Sequence, residues 1–179
     1  MASAFAHAVV AFALGKSFPK TYASVKFWLL GSFCAILPDL DVLAFKFGIP
    51  YEHLFGHRGI THSIAFSLFL GLVVTRIFYH NTPLLSLKGM GLMFCFFLCT
   101  VSHALLDAMT SGGLGVAFYA PFDNTRYFFP WRPIQVSPIG VESFFSEWGL
   151  CVVKSELIWV GIPGLIYLIL LGFLKKIIK

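Results

Sequence analysis

The chain has 179 residues and a formal net charge of +5, and it is 58% hydrophobic with only 12% charged side chains; its mean hydropathy is +0.85. A soluble globule of this size carries about 25% charged residues, so a surface wetted all round is excluded and one domain, residues 1–179, is expected to sit in a bilayer. The cations are spread in small groups instead of forming a stripe or tail, which suits membrane topology and lipid headgroups as partners and argues against nucleic acid.

Crossing the hydrocarbon takes about 20 apolar residues. The first run, 2–14, is short for that and reads as a tilted or partly inserted helix, ended by Gly15, Lys16, Pro19 and Lys20. Its cations follow the apolar stretch instead of preceding it, unlike a cleavable signal. The second run, 25–37, is closed by Pro38 and then Asp39-Leu40-Asp41. The third, 63–79, has Thr61 or Ser63 as its expected cap, and Asn81, Thr82 and Pro83 make the turn after it. The fourth, 87–109, is the longest and ends at Ser111-Gly112-Gly113. Residues 110–150 form a long loop rich in aromatics, Pro and Gly. The fifth run, 157–174, is followed by Lys175, Lys176 and Lys179. The expected fold class is therefore all-α: a polytopic membrane bundle of about five apolar helices with a long outer loop.

Cation placement orients such a bundle. Lys16, Lys20 and Lys26, then Arg76 and Lys88, then the terminal lysines fall on one side of five spans, which the positive-inside rule makes cytoplasmic. The opposite loops mix Lys46, Arg58, Arg126 and Arg132 with most of the acids. At helical rise, Lys26 to Asp39, Arg76 back to His62, and Lys88 to His103 span roughly 20, 21 and 22 Å. Three separate segments thus deliver polar groups to a similar depth near the outer face, where ionisable residues are costly and tend to be functional.

The polar groups are arranged in short motifs. His103 and Asp107 stand four residues apart on one helix face, a donor pair suited to zinc or to a hydrogen bond between helices. Asp39 and Asp41 place two carboxylates at a helix C-terminus, where anions are disfavoured unless a cation is bound; a polar boundary with water is the alternative. His57 and His62 flank Gly59 and converge if the glycine bends the chain, while Arg58 is a candidate holder of an anionic group such as phosphate. His7 is a weaker ligand candidate among Ala and Val. His53 reads as a loop residue or supporting partner, and His80 lies on the wrong side. Cys34, Cys95, Cys99 and Cys151 read as packing residues, and Trp131 and Trp148 as interface anchors. There is no nucleotide-binding loop and no nucleophile elbow, which favours a metal-activated water over covalent catalysis.

His7 with its apolar run to Gly15, Pro38-Asp39-Leu40-Asp41, His57-Arg58-Gly59-Ile60-Thr61-His62-Ser63 and His103-Ala-Leu-Leu-Asp107, in this order, resemble the YdjM-like family of LexA-regulated inner-membrane proteins regarded as metal-dependent hydrolases. Pro121-Phe122 and Arg126-Tyr127 resemble that family's outer loop less specifically. The family is considered distantly similar to zinc-dependent phospholipase C and single-strand nucleases, so the resemblance implies phosphoester hydrolysis by analogy. Its regulatory label, a DNA-damage response, concerns the gene and not these residues. The expectation is a multi-pass inner-membrane hydrolase with an extracytoplasmic site. Its metal ligands are His7, Asp39, His57, His62, His103 and Asp107, holding one or two divalent ions, zinc by preference. Asp41 orients a histidine or acts as base, Arg58 holds a lipid-like phosphoester, and membrane lipid is the partner. The rival expectation is a non-catalytic metal-binding membrane protein, a transporter element or a stress-associated scaffold.

Overall fold

The computed structural model describes residues 1–177, so Lys179 lies outside the described residues. Each long helical segment opens on a serine. Ser3, Ser24, Ser63, Ser86 and Ser146 accept from the backbone N–H three residues on. This satisfies donors that lipid could not. The helices are α1 (Ala4–Gly15), α2 (Val25–Ile36), α3 (Ile64–Phe78), α4 (Leu87–Ala108), a single turn α5 (Val141–Phe144), α6 (Glu147–Glu156) and α7 (Ile162–Ile177). Among the described residues there is no sheet; isolated bridges join Thr110 to Ile134 and Val116 to Tyr127.

Two runs extend beyond their apolar limits. Pro38 does not end α2 outright, because the chain tightens into a 3-10 helix, Leu37–Phe47, stopped by Gly48 at φ 72°. The last span begins at Glu147, ten residues before the apolar run, and passes through a π-helical stretch, Leu157–Gly161, into α7. Glu147 stabilises the first turn through the helix dipole. Glu156, buried in the same span, is hydrogen-bonded by the cap of α1: the Ser3 N–H and hydroxyl both donate to its carboxylate. By length and composition Val25–Phe47, Leu87–Ala108 and Glu147–Ile177 are long enough to cross a membrane, whereas Ala4–Gly15 and Ile64–Phe78 are shorter apolar helices.

The segments alternate in direction. Lys26 Nζ donates to the Phe78 carbonyl at 2.6 Å and Lys175 Nζ to the Lys16 carbonyl at 2.5 Å, which brings the cationic ends together. α4 packs against α1, α2 and α3, around a core that includes Phe27, Cys34, Leu92, Phe96 and Cys99. α3 and α4 approach closely at Gly71, where a Cβ would lie 2.7 Å from the Met93 carbonyl oxygen; small residues allow such contact in lipid. α7 touches α1 and buries none of its own residues, so most of its apolar side chains face outward, with Leu168 and Leu171 half-buried.

At the other end, residues 110–140 fold back as a cap. Val116 and Tyr127 exchange both backbone hydrogen bonds, and the Ala117 N–H donates to the Arg58 carbonyl. Arg126 donates to the carbonyls of His57, Tyr51 and His53 at 2.9–3.1 Å, tying the cap to the turn ahead of α3.

Candidate metal centre

α4 places His103 and Asp107 one turn apart on a buried face, with Ala104 and Ala108 between and beyond them. The small alanines let neighbouring elements close over that face. The 3-10 extension of α2 brings in Asp39, α1 brings in His7, and a short 3-10 turn, Ile60–His62, brings in His62 just ahead of α3. The bend before His62 is not made by Gly59 alone. Arg58 itself has φ 60°, in the left-handed region, a conformation costing of order 1–3 kcal/mol outside glycine. Gly59 serves close approach, since a Cβ there would meet the Leu54 carbonyl oxygen at 2.2 Å.

Asp39, His62, His103 and Asp107 each present a ligand atom, all within 4.8 Å of one another. His62 Nε2 and His103 Nε2 are 3.0 Å apart. His103 Nε2 is 3.3 Å from Asp39 Oδ1 and 4.0 Å from Asp107 Oδ2. His62 Nε2 lies 3.6 Å from Asp107 Oδ2 and 3.8 Å from Asp39 Oδ1. His7 stacks on His103 with ring centroids 3.7 Å apart, its Nε2 3.6 Å from Asp107 Oδ1 and 4.0 Å from Asp39 Oδ2.

Tautomers sharpen the meaning of the 3.0 Å contact. His103 Nδ1 is 2.7 Å from the Ala35 carbonyl oxygen, which only accepts, so Nδ1 carries the hydrogen. His62 Nδ1 is 3.1 Å from Asp41 Oδ2, again an acceptor. Two Nε2 lone pairs then face each other, an arrangement that demands a cation or a proton between them. Burial works against a charged His62, but the Asp107 and Asp41 carboxylates outweigh it and raise its pKa to about 9. In His57 burial prevails over the Asp41 carboxylate and lowers the pKa.

The residues fit a divalent ion. Both carboxylate oxygens of Asp39 and both ring nitrogens of His7 are buried with no hydrogen-bond partner; leaving such groups unsatisfied costs about 1–3 kcal/mol each, and more when charged. A tetrahedral zinc with bonds of about 2.0–2.1 Å sets its ligand atoms about 3.3–3.4 Å apart, close to the separations found here. Second-layer hydrogen bonds of the His–carbonyl and His–carboxylate kind are those that orient metal-bound imidazoles.

Asp41 and Arg58 stand behind this centre. Asp41 accepts from His57 Nδ1 at 2.6 Å, the Arg58 N–H at 3.0 Å, the Thr61 hydroxyl at 2.6 Å and His62 Nδ1. Three of these reach Oδ2 and one reaches Oδ1, so a single carboxylate bridges both histidines and the turn between them. With His57 and His62 it forms a second group of ligand-type atoms. Arg58 is fully buried. It donates through Nε to Asp107 Oδ2 (3.0 Å), through Nη1 to the Gly112 and Leu114 carbonyls, and through Nη2 to the Thr110 hydroxyl. That engagement corrects the phosphate-holding expectation: the guanidinium is committed to protein acceptors, and its place is beside Asp107. The Ala2 N–H donates to the other Asp107 oxygen at 2.6 Å.

His53 contacts Phe55 at the exposed rim, outside the cluster. Glu156 belongs to none of the motifs, and the contacts that Thr61 and Arg126 make are not readable from the motifs that contain them. Glu156 had a usable signal, a lone acid bordering an apolar run; Thr61 and Arg126 are ordinary polar residues whose positions depend on the folded cap.

The chain matches the family described as YdjM inner membrane protein over residues 1–178. It is 34% identical over 182 residues to Inner membrane protein YbcI of Escherichia coli (strain K12), covering 98% of this chain and 100% of that protein. No solved structure is significantly similar. With helical architecture, apolar spans and a full-length match in agreement, the chain belongs to the YdjM inner membrane protein family.

Proposed function

We propose that this inner membrane protein is a metal-dependent hydrolase acting on a phosphoester, with its centre on the extracytoplasmic side. The observation that carries the reading is the pair of facing Nε2 atoms, 3.0 Å apart, beside the unpartnered Asp39 carboxylate. Asp39, His62, His103 and Asp107 would hold the ion, zinc being the preferred metal for this donor set, and His7 stands next to them. When bound, such an ion supplies a Lewis acid and lowers the pKa of a water at neutral pH.

The chain's own residues do the rest. Asp41 faces Nδ1 of both His57 and His62, so Nε2 is the atom each turns away from it, and on His62 an ion would take the place of the Nε2 proton. His57 is thereby a proton acceptor, or a ligand to a second ion, at the edge of the centre. Arg58 holds the Asp107 carboxylate in place by donating through Nε to Oδ2. The cysteines give no competing nucleophile, since Cys34, Cys95 and Cys99 are buried in the core, while Cys151 lies on α6. Orientation follows the gathered lysines at the opposite end of the bundle, and a lipid-like substrate is the class whose headgroups already lie at the depth of the centre.

One observation supports a second, non-catalytic reading. The ligand candidates are almost completely enclosed, with His7, His103 and Asp107 at 0% exposure, which also suits a metal that holds helix ends together. Metal analysis of the purified chain beside His62→Ala and Asp107→Ala, coupled to phospholipid and phosphodiester hydrolysis assays, separates the possibilities. Stoichiometric metal in wild type, lost in both variants with helicity intact, and turnover that disappears with it are expected. Metal-free wild type prepared without chelators would overturn both readings; bound metal with no turnover would leave the structural one.

A further inference from the structure

The end of the bundle opposite the His/Asp cluster has an unusual charge balance. Lys16, Lys20, Lys26, Arg76, Lys88, Lys175 and Lys176 belong to it, and no acid occurs in residues 1–38, 53–106 or 157–177. These cations therefore have no carboxylate partner along the segments that carry them. Three of them, Lys16, Lys20 and Lys175, surround a cavity of about 470 Å³ between α1, α2 and α7. Its walls are apolar: Phe12, Trp28, Leu168 and Leu171. Lys16 Nζ lies 5.0 Å from the centroid of Phe12 and 5.2 Å from that of Trp28, so its charge rests on aromatic faces and not on an anion. A second cavity of about 740 Å³ lies beside Lys20, Lys175 and Lys176.

We propose that this groove is a binding site for an anionic phospholipid, its phosphate among Lys16, Lys20 and Lys175 and one acyl chain against Phe12, Trp28 and Leu171. Both halves of the ligand are required by what is present. Uncompensated lysines at a membrane surface attract anionic headgroups, and an apolar cleft between helices beneath them receives a hydrocarbon chain but not a free anion. A zwitterionic lipid fills the cleft and leaves the charge unanswered; inorganic phosphate does the reverse. The site is independent of the chemistry proposed at the far end.

The test uses the full chain reconstituted in nanodiscs of equal parts phosphatidylglycerol and phosphatidylcholine, then extracted into mild detergent, with retained lipid measured by mass spectrometry. Phosphatidylglycerol should be retained in preference to phosphatidylcholine. The triple change Lys16→Gln, Lys20→Gln, Lys175→Gln should reduce its retention about tenfold or more, whereas Lys88→Gln at the same end should not. Leu171→Trp, which fills the cleft but keeps every lysine, should also reduce retention. Unchanged circular dichroism shows that the variants fold. Equal retention of both lipids, or no loss in the triple variant, would overturn the proposal. Loss in the triple variant but not in Leu171→Trp, with inorganic phosphate displacing the lipid, would overturn the acyl-chain assignment in favour of a bare anion site.

Discussion

Asp41 holds two imidazoles with one carboxylate, and its worth is measurable. Asp41→Asn keeps the shape but replaces an acceptor by an amide that must turn a donor toward His57 or His62. Metal affinity should fall about 10–100-fold, read by competition with a chromogenic chelator; unchanged affinity would remove Asp41 from its orienting role. Arg58 makes a different kind of contribution. Truncating it to Ala strands the Asp107 carboxylate in a buried site, and breaking a buried pair from one side costs about 3–5 kcal/mol. Thermal unfolding of Arg58→Ala in detergent should show a large drop in Tm even with metal in excess. An Arg58 whose loss affected substrate KM but not stability would restore the phosphate-holding role.

At the scale of elements, the span from Glu147 to Ile177 depends on the two hydrogen bonds that Ser3 gives to Glu156. Ser3→Ala should destabilise the contact between that span and α1 by about 1–3 kcal/mol, seen as faster proteolysis within residues 137–160. Glu156→Gln, which retains an acceptor, should lose less. The α3–α4 contact at Gly71 is less forgiving, because its neighbours are backbone atoms; Gly71→Leu should prevent assembly of a folded chain. These elements also show what the residues alone reveal. Runs two, three and four were legible because apolar blocks are closed by Pro38, Asn81-Thr82-Pro83 and Ser111-Gly112-Gly113, and the motif order exposed the candidate ligands. The start of the last span was not, since Glu147, Lys154 and Glu156 interrupt hydropathy until the Ser3 contact exists. Nor was the role of Arg58, because its acceptors on residues 110–114 meet it only after the cap folds over.

For the whole molecule, orientation is the property with the widest consequences. Asn124, exposed on the cap, and Asn81, exposed in the turn between α3 and α4, lie at opposite ends of the bundle. On a Cys151→Ser background, Asn124→Cys should react with an impermeant maleimide on intact spheroplasts and Asn81→Cys only after permeabilisation. The reverse pattern would place the His/Asp centre on the cytoplasmic side.

The unequal lengths of the helices carry one more implication. α1 has 12 residues and α3 has 15, about 18 and 22 Å of helix, against about 30 Å of hydrocarbon. The span that packs on α1 runs 31 residues, from Glu147 to Ile177. A lamella matched to that span is mismatched to α3, so the acyl region should be compressed beside α3 and the headgroup plane drawn down toward it. The protein would then act as a local wedge in bilayer thickness, lowering the distance a surface-bound molecule must descend to reach the buried end of α4.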